Sequence, residues 1–559
     1  MGSKSRQSFV TGAAILGAAA LTSKLLGAIY RIPYQNITGD VGLAAYNKVY
    51  PLYSMLLIMA TAGFPLAISK IVAERLALGD KIGARRVLNI SVYVLSVTGF
   101  IFFALLFFGA SSIARWMGNP ELTIVIKSVS FALLIVPTMA AIRGYYQGHQ
   151  YMIPTANSQI VEQIVRVITI LILSYWFINN GYSVYYAAAG ATFGAVTGAI
   201  FAFLVLLLYW KKTNQITDEM ILESGKIHIG KQEDTTQVIK KILYYSIPIA
   251  LGSIILPFFQ IVDSFSVSNV IALSVTKSKF LFGTYLKGQM LANFTEYWFG
   301  IYSRGQALIQ FAAFFATSLS IALVPAVSGA KAKNDMDLVA KGTELALRLT
   351  LMIGLPASIG LAVLAEPVNI MLYKDNVGTD TMAILAFTTI FSTLFMTSSG
   401  ILQGIGKVML PAKNLLIAVI FKLVLNITLV YYISINGAAI ATVTAYGLAA
   451  TLNIVSIMRY IDIKISFSNF ILKPVIATLM MGLFVFISKI LIQVGLEPII
   501  LSERLLMAII ALTSVGIGVL SFVVSLFISG AITRQDLNRI PKYGQKMIKL
   551  ADKVKILKG

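Results

Sequence analysis

Long apolar stretches separated by short polar segments recur along the whole chain. A helix that crosses a membrane needs about 20 mainly apolar residues, and fourteen stretches approach that length. They lie near residues 9–30, 44–64, 87–108, 122–142, 160–178, 185–209, 242–265, 299–325, 347–365, 381–402, 414–433, 437–457, 474–494 and 505–529. Polar residues interrupt 44–64 and 299–325, as is typical of helices that line a cavity. The pattern predicts an all-α polytopic membrane protein with about 14 transmembrane helices.

An internal repeat suggests how these spans are grouped. Gln147-Gly148 followed by Pro154 and Asn157 recurs as Gln403-Gly404 followed by Pro411 and Asn414. Phe64-Pro65 similarly resembles Val324-Pro325. Six spans per repeat would give both copies the same orientation, an arrangement found in transporters that bind substrate between their halves. The alternative is a chance likeness between loops rich in Gly and Pro.

The predicted organisation is therefore two six-helix lobes related by a parallel pseudo-two-fold axis, plus two C-terminal helices. The predicted segments are an N-terminal lobe at 1–210, a cytoplasmic linker at 211–241, a C-terminal lobe at 242–458, two lipid-groove helices at 459–530 and a basic cytoplasmic tail at 531–559. The small-residue spacing of Gly190, Gly194 and Gly198 predicts close helix packing in the sixth span.

Composition and charge agree with a membrane protein. Of 559 residues, 57% are hydrophobic and 12% are charged, and the mean hydropathy is +0.82. Soluble domains carry about 25% charged residues. The absence of cysteine excludes thiolate metal sites, and two histidines are too few for a histidine metal site, so no metal is expected. The net charge of +22 arises mainly from segments on one side of the spans, which predicts cytoplasmic N- and C-termini rather than a nucleic-acid partner.

Six basic residues fall inside the predicted spans. They are Lys24, Lys48, Lys127, Arg166, Arg304 and Lys422. A charge at the bilayer centre costs about 2.5–3.5 kcal/mol on insertion scales, so such residues usually face a partner, a polar interior or a water-filled path. Few acidic residues share these spans, which favours a cationic cavity and an anionic cargo.

Orientation places several of these cations in the outer half of the membrane. We predict a binding site formed by Lys24, Arg31, Lys48 and Arg304. The alternative for these four residues and for Lys127 is that the side chain lies near a helix end and reaches the lipid headgroups. This alternative is strongest for Arg31 and Lys127.

A second set of residues is predicted to line or gate the cavity. Asp263 and Gln306 lie at the level of the cations, and Lys422 has no acidic residue within its own span. Glu162 and Arg166 have the i, i+4 spacing of a helical ion pair, which has either a structural role or a role as an inner gate.

Several local sequences together resemble one known family. They are Gly27-Ala28-Ile29-Tyr30-Arg31-Ile32-Pro33, Gly39-Asp40, Gly63-Phe64-Pro65-Leu66-Ala67-Ile68-Ser69-Lys70, Asp263-Ser264-Phe265, Gly300-Ile301-Tyr302-Ser303-Arg304-Gly305-Gln306 and Ser318-Leu319-Ser320-Ile321-Ala322-Leu323-Val324-Pro325. The chain resembles the MurJ-type lipid II flippases, in the SpoVB/YtgP-like branch of the multidrug/oligosaccharidyl-lipid/polysaccharide exporter superfamily. The resemblance covers nearly the whole chain.

The resemblance implies two lobes around a cationic cavity, and basic substrate-binding residues at Lys24 and Arg304, with Arg31 displaced by one position. It also implies a bacterial cell membrane protein that moves a lipid-linked peptidoglycan precursor by alternating access. Asn47 and Lys48 stand where proteobacterial members have an acidic residue in the second span, so the acidic-site assignments of those members do not transfer.

The functional prediction is a flippase for lipid II, an undecaprenyl-diphosphate-linked saccharide, and not an enzyme. Membrane lipids are expected partners, and cell-wall synthesis enzymes are further candidates. No phosphate-binding loop of the form G-x-x-x-x-G-K-[ST] is present, so no nucleotide cofactor is expected, and a coupling ion remains open. The alternatives are another lipid-linked glycan (capsule, teichoic acid or sporulation precursor), a drug/cation antiporter, or a non-transporting scaffold.

Overall fold

The computed structural model describes residues 9–223, 234–277, 287–463, 468–500 and 502–531, and helices make up nearly all of them. The helices in chain order are α1 Phe9–Ile29, α2 Arg31–Thr61, α3 Phe64–Ala77, α4 Lys81–Trp116, α5 Leu122–Ser130, α6 Ala132–Gly148, α7 Ile153–Asn179, α8 Val184–Glu223, α9 Thr235–Lys277, α10 Gln289–Ala332, α11 Met336–Val363, α12 Ala365–Tyr373, α13 Thr379–Ala386, α14 Thr388–Gly404, α15 Met409–Met458, α16 Lys473–Leu496 and α17 Glu503–Ile528. A π-helical turn, Ser468–Leu472, precedes α16.

Each predicted span falls on one or two of these helices, and several helices extend about ten residues beyond the span, which confirms the all-α prediction but not every boundary. Within the described ranges, eleven candidates are long and apolar enough to cross a membrane. Two of them, Ile15–Ala77 and Met409–Met458, each hold two predicted spans. Non-helical backbone at Ile433 and Ser434 divides α15 between its two spans. The eighth predicted span lies in α10.

The chain forms two compact units, Met1–Gly300 and Ile301–Gly559. The first has an apolar core that includes Val49, Ile68, Val125 and Met139. Because α9 packs on α2, α3 and α4, the helix of the seventh span belongs to the first unit. The unit boundary therefore falls later than the linker at 211–241 where the lobe boundary is predicted.

The glycine stripe of α8 packs closely against α7, as the spacing predicts. A Cβ at Gly198 would lie 2.6 Å from the carbonyl oxygen of Glu162, and one at Gly194 would lie 2.9 Å from that of Arg166. The two backbones approach this closely only because the residues have no side chain. The stripe thus fixes the helix that carries Glu162 and Arg166.

In the second unit, α16 and α17 pack on each other and on α11 and α12. The interior contains a neutral hydrogen-bond network between α14 and the two halves of α15. Asn453 Nδ2 donates to the hydroxyls of Ser398 at 3.1 Å and Ser399 at 3.0 Å, and Asn453 Oδ1 accepts from Asn414 at 2.9 Å. Buried amides need such partners, so the network holds the two helices in register.

Part of the predicted repeat has a structural basis. Helix α6 ends at Gly148 and α14 ends at Gly404, and each is followed by a residue with positive φ, Gln150 at 57° and Gly406 at 81°. The amide of each donates to the carbonyl oxygen three residues earlier, at 2.9 Å in both cases. The two copies therefore end their helices with the same turn.

The segment between the seventh and eighth predicted spans is helical over much of its length. Helix α9 continues to Lys277 and α10 begins at Gln289, while 278–286 lie outside the described residues. The polar side chain of Asn269 is satisfied within this part of α9, since its Nδ2 donates to the carbonyl oxygen of Phe265 at 2.7 Å. The linker at 211–241 is similarly helical to Glu223 and again from Thr235. Residues 532–559 of the basic tail lie outside the described residues.

Candidate functional site

The four predicted binding residues are divided between the units. Lys24, Arg31 and Lys48 belong to the first unit and Arg304 to the second. Lys24 lies on α1, and its side chain is outside the described part of the structure. Arg31 is the first residue of α2 and is half-buried.

Lys48 on α2 forms a fully buried ion pair with Glu296 on α10. Its Nζ lies 2.6 Å from Glu296 Oε1, and neither side chain is exposed. The ammonium also donates to the carbonyl oxygen of Met117 at 3.2 Å and lies 5.2 Å from the centroid of the Phe299 ring. A charge pair this deeply buried is tolerated only when both members are compensated. Lys48 is thus held by partners within its own unit.

A chain of hydrogen bonds extends this pair to the ends of three helices. Asn119, in the turn after α4, donates to Glu296 Oε1 at 3.4 Å and to the Tyr185 hydroxyl at 2.8 Å. Tyr185, at the start of α8, donates to Asn293 Oδ1 at 2.8 Å. The first turns of α10 are therefore tied to α2, α4 and α8 by a buried polar network.

Arg304 on α10 is almost completely buried, with 1% of its side chain exposed. Its guanidinium makes a two-pronged ion pair with Asp375, with Nη1 2.6 Å from Oδ1 and Nη2 3.0 Å from Oδ2. Nη1 also lies 3.4 Å from Asn369 Oδ1. The Tyr373 ring centroid is 5.2 Å from the guanidinium carbon, and the Tyr373 hydroxyl donates to the Arg304 carbonyl oxygen at 3.2 Å. Such two-pronged geometry is how guanidinium groups bind carboxylates and phosphates.

Asp375 lies on the short turn between α12 and α13. Lys374 and Gly378, at either end of the turn, have φ values of 72° and 76°. A Cβ at Gly378 would collide with the Ile301 side chain, so glycine allows the turn to pack on α10. Burial alone would raise the pKa of the Asp375 carboxyl, but the hydrogen bonds and charge of Arg304 and the amide of Val377 lower the pKa below its usual range. Asp375 is therefore an anion at neutral pH, and 44% of its side chain is exposed.

Glu162 and Arg166 form the ion pair that their spacing predicts, and the structure adds a second arginine. Glu162 Oε1 lies 2.8 Å from Arg166 Nη2, and its Oε2 lies 2.9 Å from Nη2 of Arg143 on α6. Arg166 Nη1 also lies 3.4 Å from the hydroxyl of Tyr50. One carboxylate and two guanidinium groups leave a positive cluster in the first unit.

The other predicted residues lie at the following places. Asp263 on α9 and Lys422 on α15 are each 1% exposed, and Gln306 on α10 is half-buried.

Sequence reasoning missed both carboxylates that pair with the candidate cations. Glu296 is 248 positions from Lys48, and Asp375 is 71 positions from Arg304. The one available signal for Glu296 was its position just before the eighth span, at the predicted level of Lys48. The positive charge of Lys48 and Arg304 is therefore compensated in this structure, whereas the sequence suggested that much of it was not.

A helical membrane protein with buried cations in both units has the features of a transport protein, and comparison with known proteins identifies its class. Residues 9–331 match the family described as polysaccharide biosynthesis protein, and residues 299–432 match MatE. Since the first match covers more than half of the chain, the chain belongs to the polysaccharide biosynthesis protein family. It is a multi-pass membrane transport protein of the multidrug/oligosaccharidyl-lipid/polysaccharide exporter superfamily and not an enzyme.

Individual relatives agree with this membership. The chain is 33% identical to the uncharacterized membrane protein YabM of Bacillus subtilis, over 96% of each chain. It is 28% identical to the lipid II flippase MurJ of Bacillus subtilis, over 80% of this chain and 82% of the relative. Among solved structures, lipid II flippase MurJ in an inward closed conformation has the same fold, with a TM-score of 0.62, 16% identity and coverage of 92% of this chain and 98% of that one. The resemblance to the MurJ-type flippases is confirmed.

Proposed function

We propose that the chain moves a diphosphate-linked lipid saccharide, lipid II in the first instance, from the inner to the outer leaflet of the bacterial cell membrane by alternating access. The observation that carries this proposal is the buried guanidinium of Arg304, which lies in a predicted span and faces an exposed turn. An arginine in this setting suits the phosphate groups of a lipid carrier, because their hydration must be replaced when they leave water. The 28% identity to a lipid II flippase supports this substrate.

The proposed binding residues are Lys24, Arg31, Lys48 and Arg304, with Lys48 also serving its ion pair. The polyprenyl tail would remain in the lipid beside α16 and α17, whose apolar side chains Leu483, Leu491 and Leu520 are exposed. The energy source in this proposal is an ion gradient, the membrane potential or consumption of the product outside.

Complementation of a bacterium depleted of its lipid II flippase tests the proposal. The wild-type chain, Lys24→Ala and Arg304→Ala would be compared at equal membrane abundance, with Arg75→Ala as the control. Arg75 is a suitable control because its pair with Asp80 is partly exposed and lies at the α3–α4 turn, outside the predicted binding residues and outside α16 and α17. We expect rescue by the wild type and the control, and failure of the other two. No rescue by well-expressed wild type would favour another lipid-linked saccharide, and rescue by all four would refute the binding residues.

The proposed direction of transport depends on the orientation of the chain, which is tested separately. We propose that both termini are cytoplasmic, so the α3–α4 turn is inside and the α7–α8 turn is outside. The chain has no cysteine, so single cysteines can be introduced without other changes. A membrane-impermeant maleimide applied to intact cells should label Asn180→Cys and leave Leu78→Cys unlabelled. The reverse result would overturn the orientation.

A further inference from the structure

Two buried cations of this chain have carboxylate partners in very different settings. Lys48 and Glu296 are both fully buried, so neither is accessible to a ligand in this state. Arg304 is equally buried, but its partner Asp375 is 44% exposed. The first pair is closed to solvent on both sides, whereas the second is accessible through its carboxylate.

Arg304 must keep an anionic partner whenever it is buried. Leaving a buried charge without a partner destabilises a protein strongly, so departure of Asp375 requires another anion to take its place. Two neutral oxygens also lie close to the guanidinium: Asn369 Oδ1 and the Val377 carbonyl oxygen are each 3.4 Å from Nη1. These oxygens orient the guanidinium group but do not neutralise its charge.

The turn that carries Asp375 gives its carboxylate a hydrogen bond that does not depend on Arg304. The turn, residues 374–378, is short and non-helical. Within it, Asp375 Oδ1 accepts a hydrogen bond from the Val377 amide at 2.9 Å. The carboxylate would therefore keep a hydrogen bond and gain hydration on leaving Arg304. This property distinguishes it from Glu296, which would lose its compensation if it left Lys48.

We infer that Asp375 is a built-in competitor for Arg304, so that a phosphate or diphosphate ester binds by exchanging with this carboxylate. A phosphate can accept hydrogen bonds from both guanidinium nitrogens through two of its oxygens, as the carboxylate does. The ion pair of Arg304 and Asp375 is then the contact that the ligand displaces. This inference rests on the proposed function for its ligand class, and it assigns to Asp375 the role of promoting release.

The competing interpretation is that Asp375 only positions Arg304 for its ligand. The two interpretations predict opposite effects of Asp375→Asn, which keeps the hydrogen-bonding shape but removes the charge. Loss of a competitor strengthens binding, whereas loss of a positioning partner weakens it.

The test measures binding of radiolabelled farnesyl diphosphate to the full chain in lipid nanodiscs. We expect Asp375→Asn to lower the Kd roughly ten- to a hundredfold, the range of one charge-assisted hydrogen bond. Glu366→Gln is the matched control, because Glu366 is 45% exposed and paired with Lys489 at 2.8 Å, and it should leave the Kd unchanged. Arg304→Gln should abolish the effect of Asp375→Asn.

Each outcome supports or overturns the inference. An unchanged or higher Kd in Asp375→Asn overturns it, as does an equal change in Glu366→Gln or the absence of binding to wild type. Asp375→Ser replaces Asp375→Asn if the latter does not fold, with the same expected direction. Inorganic diphosphate as a competitor distinguishes the ligand source: equal affinity would indicate a free phosphate, and weaker affinity a lipid headgroup. The binding test and the complementation test can also give different answers. If Asp375→Asn lowers the Kd as expected but the wild type does not rescue cells that lack their lipid II flippase, the inference stands and only the proposed function is refuted.

Discussion

The buried pair of Lys48 and Glu296 allows a structural role to be separated from a role in binding. Removing one member leaves the other charged and buried, which typically costs about 3–5 kcal/mol. Since neither side chain is exposed, Lys48→Met should lower the free energy of unfolding by an amount in that range. Lys489→Met is the control, because its pair with Glu366 is partly exposed and should contribute less than about 1 kcal/mol.

The assay is unfolding in mixed lipid–detergent micelles titrated with a denaturing detergent and followed by the fluorescence of the four tryptophans. Adding Glu296→Gln to Lys48→Met should restore most of the lost stability, since the amide oxygen still accepts from Asn119 and no charge remains. If Lys48→Met costs no more than Lys489→Met, the reasoning from burial is wrong. In complementation, recovery of activity by the double variant would make Lys48 a structural residue, and an inactive but stable double variant would make it a binding residue.

Three further predictions concern the packing and charge of the described residues. Gly300→Ala should lower the free energy of unfolding by about 1–3 kcal/mol, because a Cβ there would collide with the backbone of Asp40. The control Gly342→Ala, where a Cβ meets nothing within 4 Å, should be neutral or stabilising. Equal unfolding curves for the two variants would contradict this. The pKa of the Asp375 carboxyl is lowered in the fold, so its contribution to stability is complete above about pH 4 and is lost as the pH falls further. The stability difference between wild type and Asp375→Asn should therefore shrink in acid, and a difference constant with pH would refute this. Asn453→Leu should destabilise by about 1–3 kcal/mol because its hydroxyl and amide partners stay buried, and an unchanged midpoint of unfolding would show that water replaces it.

Local patterns predicted most of the helices, because about 20 apolar residues can satisfy their backbone groups within a membrane only as a helix. Helix α9 extends beyond its predicted span, 242–265, where polar residues are satisfied locally. Asn269 lies in this extension, and its side chain bonds a carbonyl oxygen within α9. Glu162 and Arg166 were predictable as a pair because four positions on a helix place them together, but Arg143 approaches from another helix, which spacing along one helix does not reveal.

The cations of the candidate site could be predicted from the sequence, but their carboxylate partners could not, because those partners lie on other elements. A basic residue within an apolar span is conspicuous in the sequence, whereas Asp375 lies in a turn where an acidic residue is ordinary. Its importance appears only when the fold brings it to Arg304 across 71 positions. Pairing between distant elements depends on tertiary packing, which one sequence does not specify.

The two buried ion pairs also bear on how a cationic site in a transporter binds and releases an anion. A binding site that carried several permanently uncompensated cations would be costly to form in a membrane and slow to release an anion. A cation that always has a partner, either a carboxylate of the chain or a phosphate of the cargo, avoids both difficulties because only the difference between two ion pairs decides occupancy. A ligand shifts such an equilibrium only by its differential affinity for the two states. The balance between Asp375 and the cargo at Arg304 would thus set binding and release together, so one substitution that strengthens binding should slow transport.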